Sequence, residues 1–232
     1  MIHLSVHPDP EATAAAAADL IADRIAAAQS ARGIAHVSLA GGTTPRRAYE
    51  LLAARLADRE HVDWWFGDER CVPPDDPESN YRLVSESLIA GGIPAGRVHR
   101  VHGEDPPERA AAAYASELER EVPRNADGMP VLDVALLGLG EDGHTASLFP
   151  RDPSLDVTDA LAVPVVAVKP PPNRITLTLP VLRAARDVIV LATGAGKRDA
   201  VTRVLAGPDP ATPASLLADA NVTLVVDAAA AP

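Results

Sequence analysis

Short apolar stretches recur along the chain, each closed by glycine, proline or a charged cluster and most followed by a segment with helical spacing. Ile2 to Val6 alternates as a first strand, and Pro8 to Pro10 breaks it. The Ala-rich tract Glu11 to Ala31 carries its charges on one side and reads as a surface helix. Ile34 to Ala40 reads as a buried strand, with Thr44 as the N-cap and Pro45 in the first turn of a helix running from Arg46 to Leu56. Val62 to Phe66 makes a third strand ending in Gly67-Asp68-Glu69-Arg70. After the proline-rich loop Val72–Pro77, Ser79-Asn80-Tyr81 opens a helix through Leu88. Arg97 to Val101 is expected as a short strand and Pro107 to Val122 as an amphipathic helix. Val134 to Leu137 has the continuous apolar character of a strand buried on both faces. Leu161 to Val168 and Arg174 to Leu179 follow as strands, with a short helix from Pro180 to Ala185. Val188 to Ala192 is a strand, Gly194-Ala-Gly-Lys197 turns into a helix reaching Leu205, and Val222 to Val226 is the last strand. This order predicts an α/β fold, a mostly parallel, doubly wound sheet flanked by helices, formed as one domain over residues 1–232. The proline-rich loops are the candidate hinges.

In such sheets ligands collect where strands end in glycine turns that lead into helices. Three turns qualify. Gly41-Gly42-Thr43-Thr44 follows a buried strand and precedes a helix, so backbone N–H groups, the helix dipole and two hydroxyls favour a phosphate; a plain capped turn fits the residues equally well. Gly194-Ala-Gly-Lys197 adds a cation, but Leu191 and Arg198 stand where a nucleotide P-loop needs glycine and Ser/Thr. Lys197 therefore reads as a point charge on a phosphomonoester, against the commoner solvated lysine. The third turn, Gly138-Leu-Gly-Glu-Asp-Gly143, matches a dinucleotide fingerprint in letters only. Asp156 and Asp159, near the expected acidic position, fall in a proline-punctuated loop. This turn runs into His144-Thr145-Ala146, which is expected to begin a helix.

What sets the third turn apart is ionisable content. Glu141, Asp142 and His144 give one crevice an acid–base group and orienting carboxylates. A lone histidine more often bonds backbone or caps a helix. Beside Asp142 at a strand end, His144 is better read as the base of a hydrolase, since imidazole titrates near neutrality. Asp68-Glu69-Arg70 lies on the same sheet edge as the glycine turns, which raises it above an ordinary hydrated strand end. Cys71 has nothing nearby to activate it and reads as a packed thiol.

Composition narrows the partners. The 232 residues carry a net charge of −11, which argues against nucleic acid or an anionic membrane as a partner. Only 3% are aromatic, so the core must be built mainly from Ala, Val, Leu and Ile. A single cysteine fits a reducing cytoplasm. No apolar run approaches the roughly 20 residues of a membrane span, and no secretory signal is read at the N-terminus. The other six histidines (His3, His7, His36, His61, His99, His102) lack metal-ligand spacing, so no metal site is expected.

Four segments in this order make a specific combination: Leu39-Ala-Gly-Gly-Thr-Thr-Pro45; Trp65-Phe-Gly-Asp-Glu-Arg70 with Ser79-Asn-Tyr81; Gly138 to Pro150; and Arg174-Ile-Thr-Leu-Thr178 with Gly196-Lys197. Together they resemble the 6-phosphogluconolactonase family, in the superfamily that also holds glucosamine-6-phosphate deaminase. The deaminases share the glycine turn and the Asp-Gly-His element. They have Asp-Glu-Tyr where this chain has Asp68-Glu69-Arg70, and they lack Ser79-Asn80-Tyr81. The resemblance implies a NagB/RpiA-like, modified Rossmann fold. It implies His144 as catalytic base, oriented by Asp142, and Arg70 as an electrophilic or anchoring partner. Gly41, Gly42, Thr43, Thr44 and Lys197 would hold a phosphate with Arg174 close by, and Asp68 would match the proton-shuttling carboxylate of the deaminases. Arg70 or N–H groups of the Gly140–Gly143 turn are expected to stabilise the oxyanion. The implied substrate is a sugar-phosphate lactone hydrolysed without cofactor or metal, by a cytoplasmic monomer or weak homodimer. A deaminase or isomerase, a non-catalytic sugar-phosphate sensor and, third, an NAD-binding dehydrogenase are the rivals.

Overall fold

The strands with no polar alternation are the ones the sheet covers on both faces. In a computed structural model that describes residues 2–232, the chain runs β1 (Ile2–His7), α1 (Pro10–Arg32), β2 (Ala35–Leu39), α2 (Thr43–Arg55), β3 (Val62–Phe66), β4 (Asp68–Arg70), α3 (Asn80–Val84), α4 (Pro107–Glu121), β5 (Val134–Gly138), β6 (Ala162–Val166), β7 (Asn173–Leu177), α5 (Leu179–Ala184), β8 (Asp187–Ala192), α6 (Arg198–Ala206) and β9 (Val222–Asp227). Six strands form an all-parallel sheet in the order β1-β9-β8-β5-β2-β3. Every residue of β2 and β3 is buried. The helices bring stripes to this sheet. On α1 the buried positions Ala14, Ala17, Ala18, Ile21, Ile25 and Ala28 repeat at helical spacing. Its first turn is fixed by Pro10 and by Asp9, whose carboxylate accepts from the Ala12 N–H at 2.8 Å.

Two expectations need correcting. The stretches 161–168 and 174–179 are strands, but they leave the main sheet: β6 and β7 pair antiparallel, and β4 joins them in the order β4-β7-β6. The third strand accordingly divides at Gly67. Its N–H donates to Leu39 in the main sheet, and its carbonyl accepts from Leu177 of the small one, both at 2.9 Å. The second correction concerns residues 97–101. Pro94 and Gly96 favour a tight turn, and the chain makes a short 3₁₀ turn, Ala95–Arg97, then a single bridge between Val98 and Trp64.

Strand ends on the upper rim are closed by buried tyrosines. The Tyr49 hydroxyl accepts from the Ala40 N–H at 2.8 Å and donates to the Ala40 carbonyl at 2.6 Å. Tyr114 does the same for Phe66, at 2.6 and 2.9 Å. Each hydroxyl thus satisfies two main-chain groups that lose ladder partners as the chain leaves the sheet. At the opposite end, Asp133 accepts from the His36 N–H and pairs with Arg32 and Arg186. There His99 stacks on Trp65, with ring centroids 4.0 Å apart.

The tyrosine bonds give a stability prediction. Tyr49→Phe and Tyr114→Phe should each cost about 1–3 kcal/mol, because a buried N–H and C=O are left unpaired. Tyr81→Phe, whose hydroxyl has no hydrogen-bond partner among the described residues, should fall within about 0.5 kcal/mol of the wild type. Urea unfolding of the three variants checks this.

Candidate active site

The sheet order reverses between β2 and β5. From β2 the chain moves outward to β3, whereas from β5 it moves the other way to β8 and β9. Adjacent parallel strands with connections leaving in opposite directions open a crevice at their carboxyl ends. The turn after β2 is Gly41-Gly42-Thr43-Thr44, and the turn after β5 is Leu139 to Gly143. Both face one open cleft of ≈ 230 Å³, lined by residues that include Gly41 to Thr44, Asp68, Arg70, Gly140, His144, Arg174 and Lys197.

At the first turn the helix cap lies two residues earlier than expected. Thr43 is already in α2, and Gly42 is the cap residue, so Thr44 is not the N-cap. Neither threonine hydroxyl has a partner among the described residues. Free N–H groups of the first helical turn and two unengaged hydroxyls together make an anion cradle. Gly41 is required by a close approach: a Cβ there would lie 1.8 Å from Asn80 Oδ1.

The second turn carries His144. Asp142 Oδ1 lies 2.6 Å from His144 Nδ1 and also accepts from the His144 N–H at 3.1 Å. Burial pushes the Asp142 carboxyl up, but its bond from the His144 backbone and the charge of the imidazole outweigh this and hold it below the usual carboxylate value. A carboxylate can only accept, so Nδ1 is assigned the proton and Nε2 keeps its lone pair. The imidazole side chain is 32% exposed and packs against the Phe149 ring. Gly140 leaves room for it, since a Cβ there would lie 2.0 Å from Nδ1. Arg203 of α6 braces the loop by donating to the Glu141 carbonyl at 2.8 Å. Of the two acidic neighbours only Asp142 orients the ring. The Glu141 carboxylate instead lies over Gly196.

No helix begins at His144. Thr145 bridges to Leu148 in a tight turn, its hydroxyl donating to the Gly138 carbonyl. Ala146 is held at φ 48°, left-handed for a residue with a Cβ. Two of the N–H groups expected at the oxyanion are engaged within the turn: Gly140 donates to the His144 carbonyl and Gly143 to the Gly140 carbonyl. The positive charge in the cleft comes from side chains.

Three cations supply it. Arg70 and Arg174 are directly opposite each other in the β4–β7 pair, an arrangement of like charges that weakens a ladder unless something negative joins them. Burial, followed by the charge of Arg70, lowers the pKa of Arg174; a guanidinium nevertheless stays charged. Arg70 bonds the Glu78 carbonyl and approaches its carboxylate at 3.4 Å, and its Nε is buried without a partner among the described residues. Lys197 ends a 3₁₀ turn, Ala195–Lys197, and forms no ion pair among the described residues. Asp68 lines the same cleft as these cations and His144. Its Oδ2 accepts from the Ser147 hydroxyl at 2.6 Å, and its Oδ1 accepts from Asn80 Nδ2 at 3.2 Å. Neighbouring Glu69 is raised to about 7 by burial, against three main-chain N–H bonds from Asn80, Tyr81 and Arg70. The Cys71 thiol is half-buried, and burial pushes its pKa up, which leaves it a poor nucleophile.

The cleft thus gathers His144, Asp68, Arg70, Arg174, Lys197 and the Gly41–Thr44 turn, with Asp142 directly behind the ring. Ser147, Tyr49 and Asn80 hold these groups in place; as parts of the site the first two passed unremarked in the sequence. A serine three residues after the base and a tyrosine in an amphipathic helix carry no local mark of their role. Asn80 stood in one of the four segments, but nothing there said what it touches.

Comparison with known proteins agrees with this geometry. A family model described as glucosamine-6-phosphate isomerases/6-phosphogluconolactonase matches residues 8–226. A 6-phosphogluconolactonase of Streptomyces coelicolor is 43% identical over 218 residues, covering 88% of this chain and 83% of the relative. The human 6-phosphogluconolactonase is 40% identical over 210 residues, covering 87% and 81%. The solved structure of the 6-phosphogluconolactonase from Trypanosoma brucei superposes with a TM-score of 0.86 at 33% identity, over 99% of this chain and 97% of that one. With the strand order, the glycine turns and the Asp-Gly-His element on one rim, the chain belongs to the glucosamine-6-phosphate isomerase/6-phosphogluconolactonase family.

Proposed function

We propose that the chain hydrolyses 6-phospho-D-glucono-1,5-lactone to 6-phospho-D-gluconate, a step of the oxidative pentose phosphate pathway, with His144 as general base. The observation that carries this reading is the cleft itself: an imidazole with its Nδ1 committed to Asp142 shares one crevice with an anion cradle and Lys197. Relatives at 40–43% identity bear the name of that activity.

The phosphate is held by the N–H groups and hydroxyls of Gly41 to Thr44 and by Lys197, with Arg174 close by. This remote anchor supplies orientation. His144 Nε2 takes a proton from water as the oxygen attacks the lactone carbonyl, and Asp142 stabilises the imidazolium that forms. Arg70 faces the oxyanion of the tetrahedral intermediate. Collapse breaks the bond between the carbonyl carbon and the ring oxygen, and His144 returns its proton to that oxygen. The steps balance with water alone and call on no metal ion or organic cofactor. Arg70, where the deaminases have tyrosine, supports hydrolysis over the deaminase reading. Asp68 accepts from Ser147 and Asn80, and ester hydrolysis asks it to take no proton from carbon. The reading extends to a cytoplasmic enzyme, monomeric or weakly homodimeric, acting on a diffusible small molecule. No described helix is long and apolar enough to cross a membrane.

Three variants test the assignment, each assayed with fresh lactone coupled to 6-phosphogluconate dehydrogenase above the spontaneous background. His144→Ala should lower kcat about 10²–10⁴-fold with the fold intact; near-native turnover would remove His144 as the base, and ammonia release from glucosamine 6-phosphate would point to the deaminase instead. Lys197→Ala should act mainly on KM, raising it about tenfold or more, as loss of one charge-assisted contact implies. Gly140→Ala should behave like a mild His144 variant, with kcat lowered about 10²-fold, because the added methyl displaces the imidazole; unchanged kcat would contradict the close approach.

A further inference from the structure

Asp68 lies in the cleft, but the two groups that hold it do not line it. Asn80, 2% exposed, starts α3 and sends Nδ2 to both the Asp68 carbonyl at 2.8 Å and its Oδ1 at 3.2 Å. The same amide lies flat on the phosphate turn, with Oδ1 where a Cβ of Gly41 would be. Ser147, fully buried, sends its hydroxyl to the other oxygen of Asp68 at 2.6 Å. Its N–H is directed at Thr176, the residue opposite Asp68 in the small sheet. Ser147 is three residues beyond His144, and the backbone between them includes the left-handed Ala146, a conformation that persists only where its neighbours over-determine it.

These contacts form a continuous line from Gly41, against which Asn80 packs closely, through the hydrogen bonds of Asn80 and Ser147 to Asp68 and on to the His144 loop. We infer that Asn80 and Ser147 are positioning residues: by gripping opposite oxygens of Asp68 they fix how far the anion-binding turn stands from His144. The inference rests on the proposed hydrolysis for its kinetic arm. A buried polar network specifies one arrangement where apolar packing tolerates several, and this one ties together segments that follow different strands. Glu69 anchors the far side of Asn80, accepting its N–H at 2.7 Å and the Ser79 hydroxyl at 3.2 Å.

The two grips have separable consequences. Asn80 touches the anion turn, so Asn80→Ala should weaken binding of inorganic phosphate and of 6-phosphogluconate about 10–100-fold by calorimetry and raise KM similarly, with kcat changed less. Ser147 touches the base loop, so Ser147→Ala should lower kcat about 10–100-fold and leave phosphate binding within about twofold. Ser147→Thr keeps the hydroxyl and should restore most of kcat, which a filler role would not require. Thermal unfolding of each variant, and the milder Asn80→Ser if Asn80→Ala does not fold, separates misfolding from misplacement. If the variants lose stability yet keep wild-type KM, kcat and phosphate affinity, or if each lowers all three alike, the positioning roles are wrong. If the wild type binds phosphate but does not turn over the lactone, the proposed function fails, and the calorimetric arm still decides the role of Asn80.

Discussion

Parallel pairing of β2 with β5 is the constraint from which the cleft follows. Because the two strands run the same way, their following turns emerge side by side; because their connections leave in opposite directions, neither helix fills the space between. One turn then offers unpaired N–H groups and the other an imidazole, and a ligand bound to the first lies within reach of the second. Tyr49 and Tyr114 complete the main-chain bonding where β2 and β3 end, so the rim has no loose polar groups of its own at those points. The chemistry is added by a few short-range contacts on a frame whose shape is already decided.

The fold was largely legible because its strands are apolar throughout and its turns are marked by glycine. Val134 to Leu137 and Val188 to Ala192 announce burial on both faces, and the alternation with helical stretches implies parallel order. What the pattern could not convey was partner choice. Residues 162–166 and 173–177 read as strands, yet nothing local says that they pair with Asp68 to Arg70 in a separate sheet. Single caps were similarly opaque: Thr43 and Thr44 both lie inside α2, and the cap falls on Gly42. In the candidate site, His144, Asp142 and Lys197 were legible from spacing and charge. Ser147 was not, because its partner lies 79 positions away. The expected helix at His144 failed because Thr145 and Ser147 spend their hydroxyls on distant groups, and that bonding favours a turn.

Charge is distributed against the average of the chain. A protein of net charge −11 brings Arg70, Arg174 and Lys197 to one cleft, two of them directly opposite each other. The acidic surface disfavours nucleic acids and anionic membranes, while the local surplus suits a small, doubly charged group. Net charge and site charge thus describe different partners, and only the second bears on substrate.

Gly67 has a consequence beyond its place in the chain. It is the residue at which the main sheet hands over to the small one, bonded to both. His144 and the Gly41–Thr44 turn stand on the larger platform, whereas Arg70, Arg174 and Asp68 ride on the smaller. The two platforms meet covalently at Gly67 and again where Ser147 bonds Asp68 and Thr176. A substitution in β4 or β7 therefore reaches the loop that carries His144 as well as the charges beside it, so the two halves of this scaffold have to change in concert.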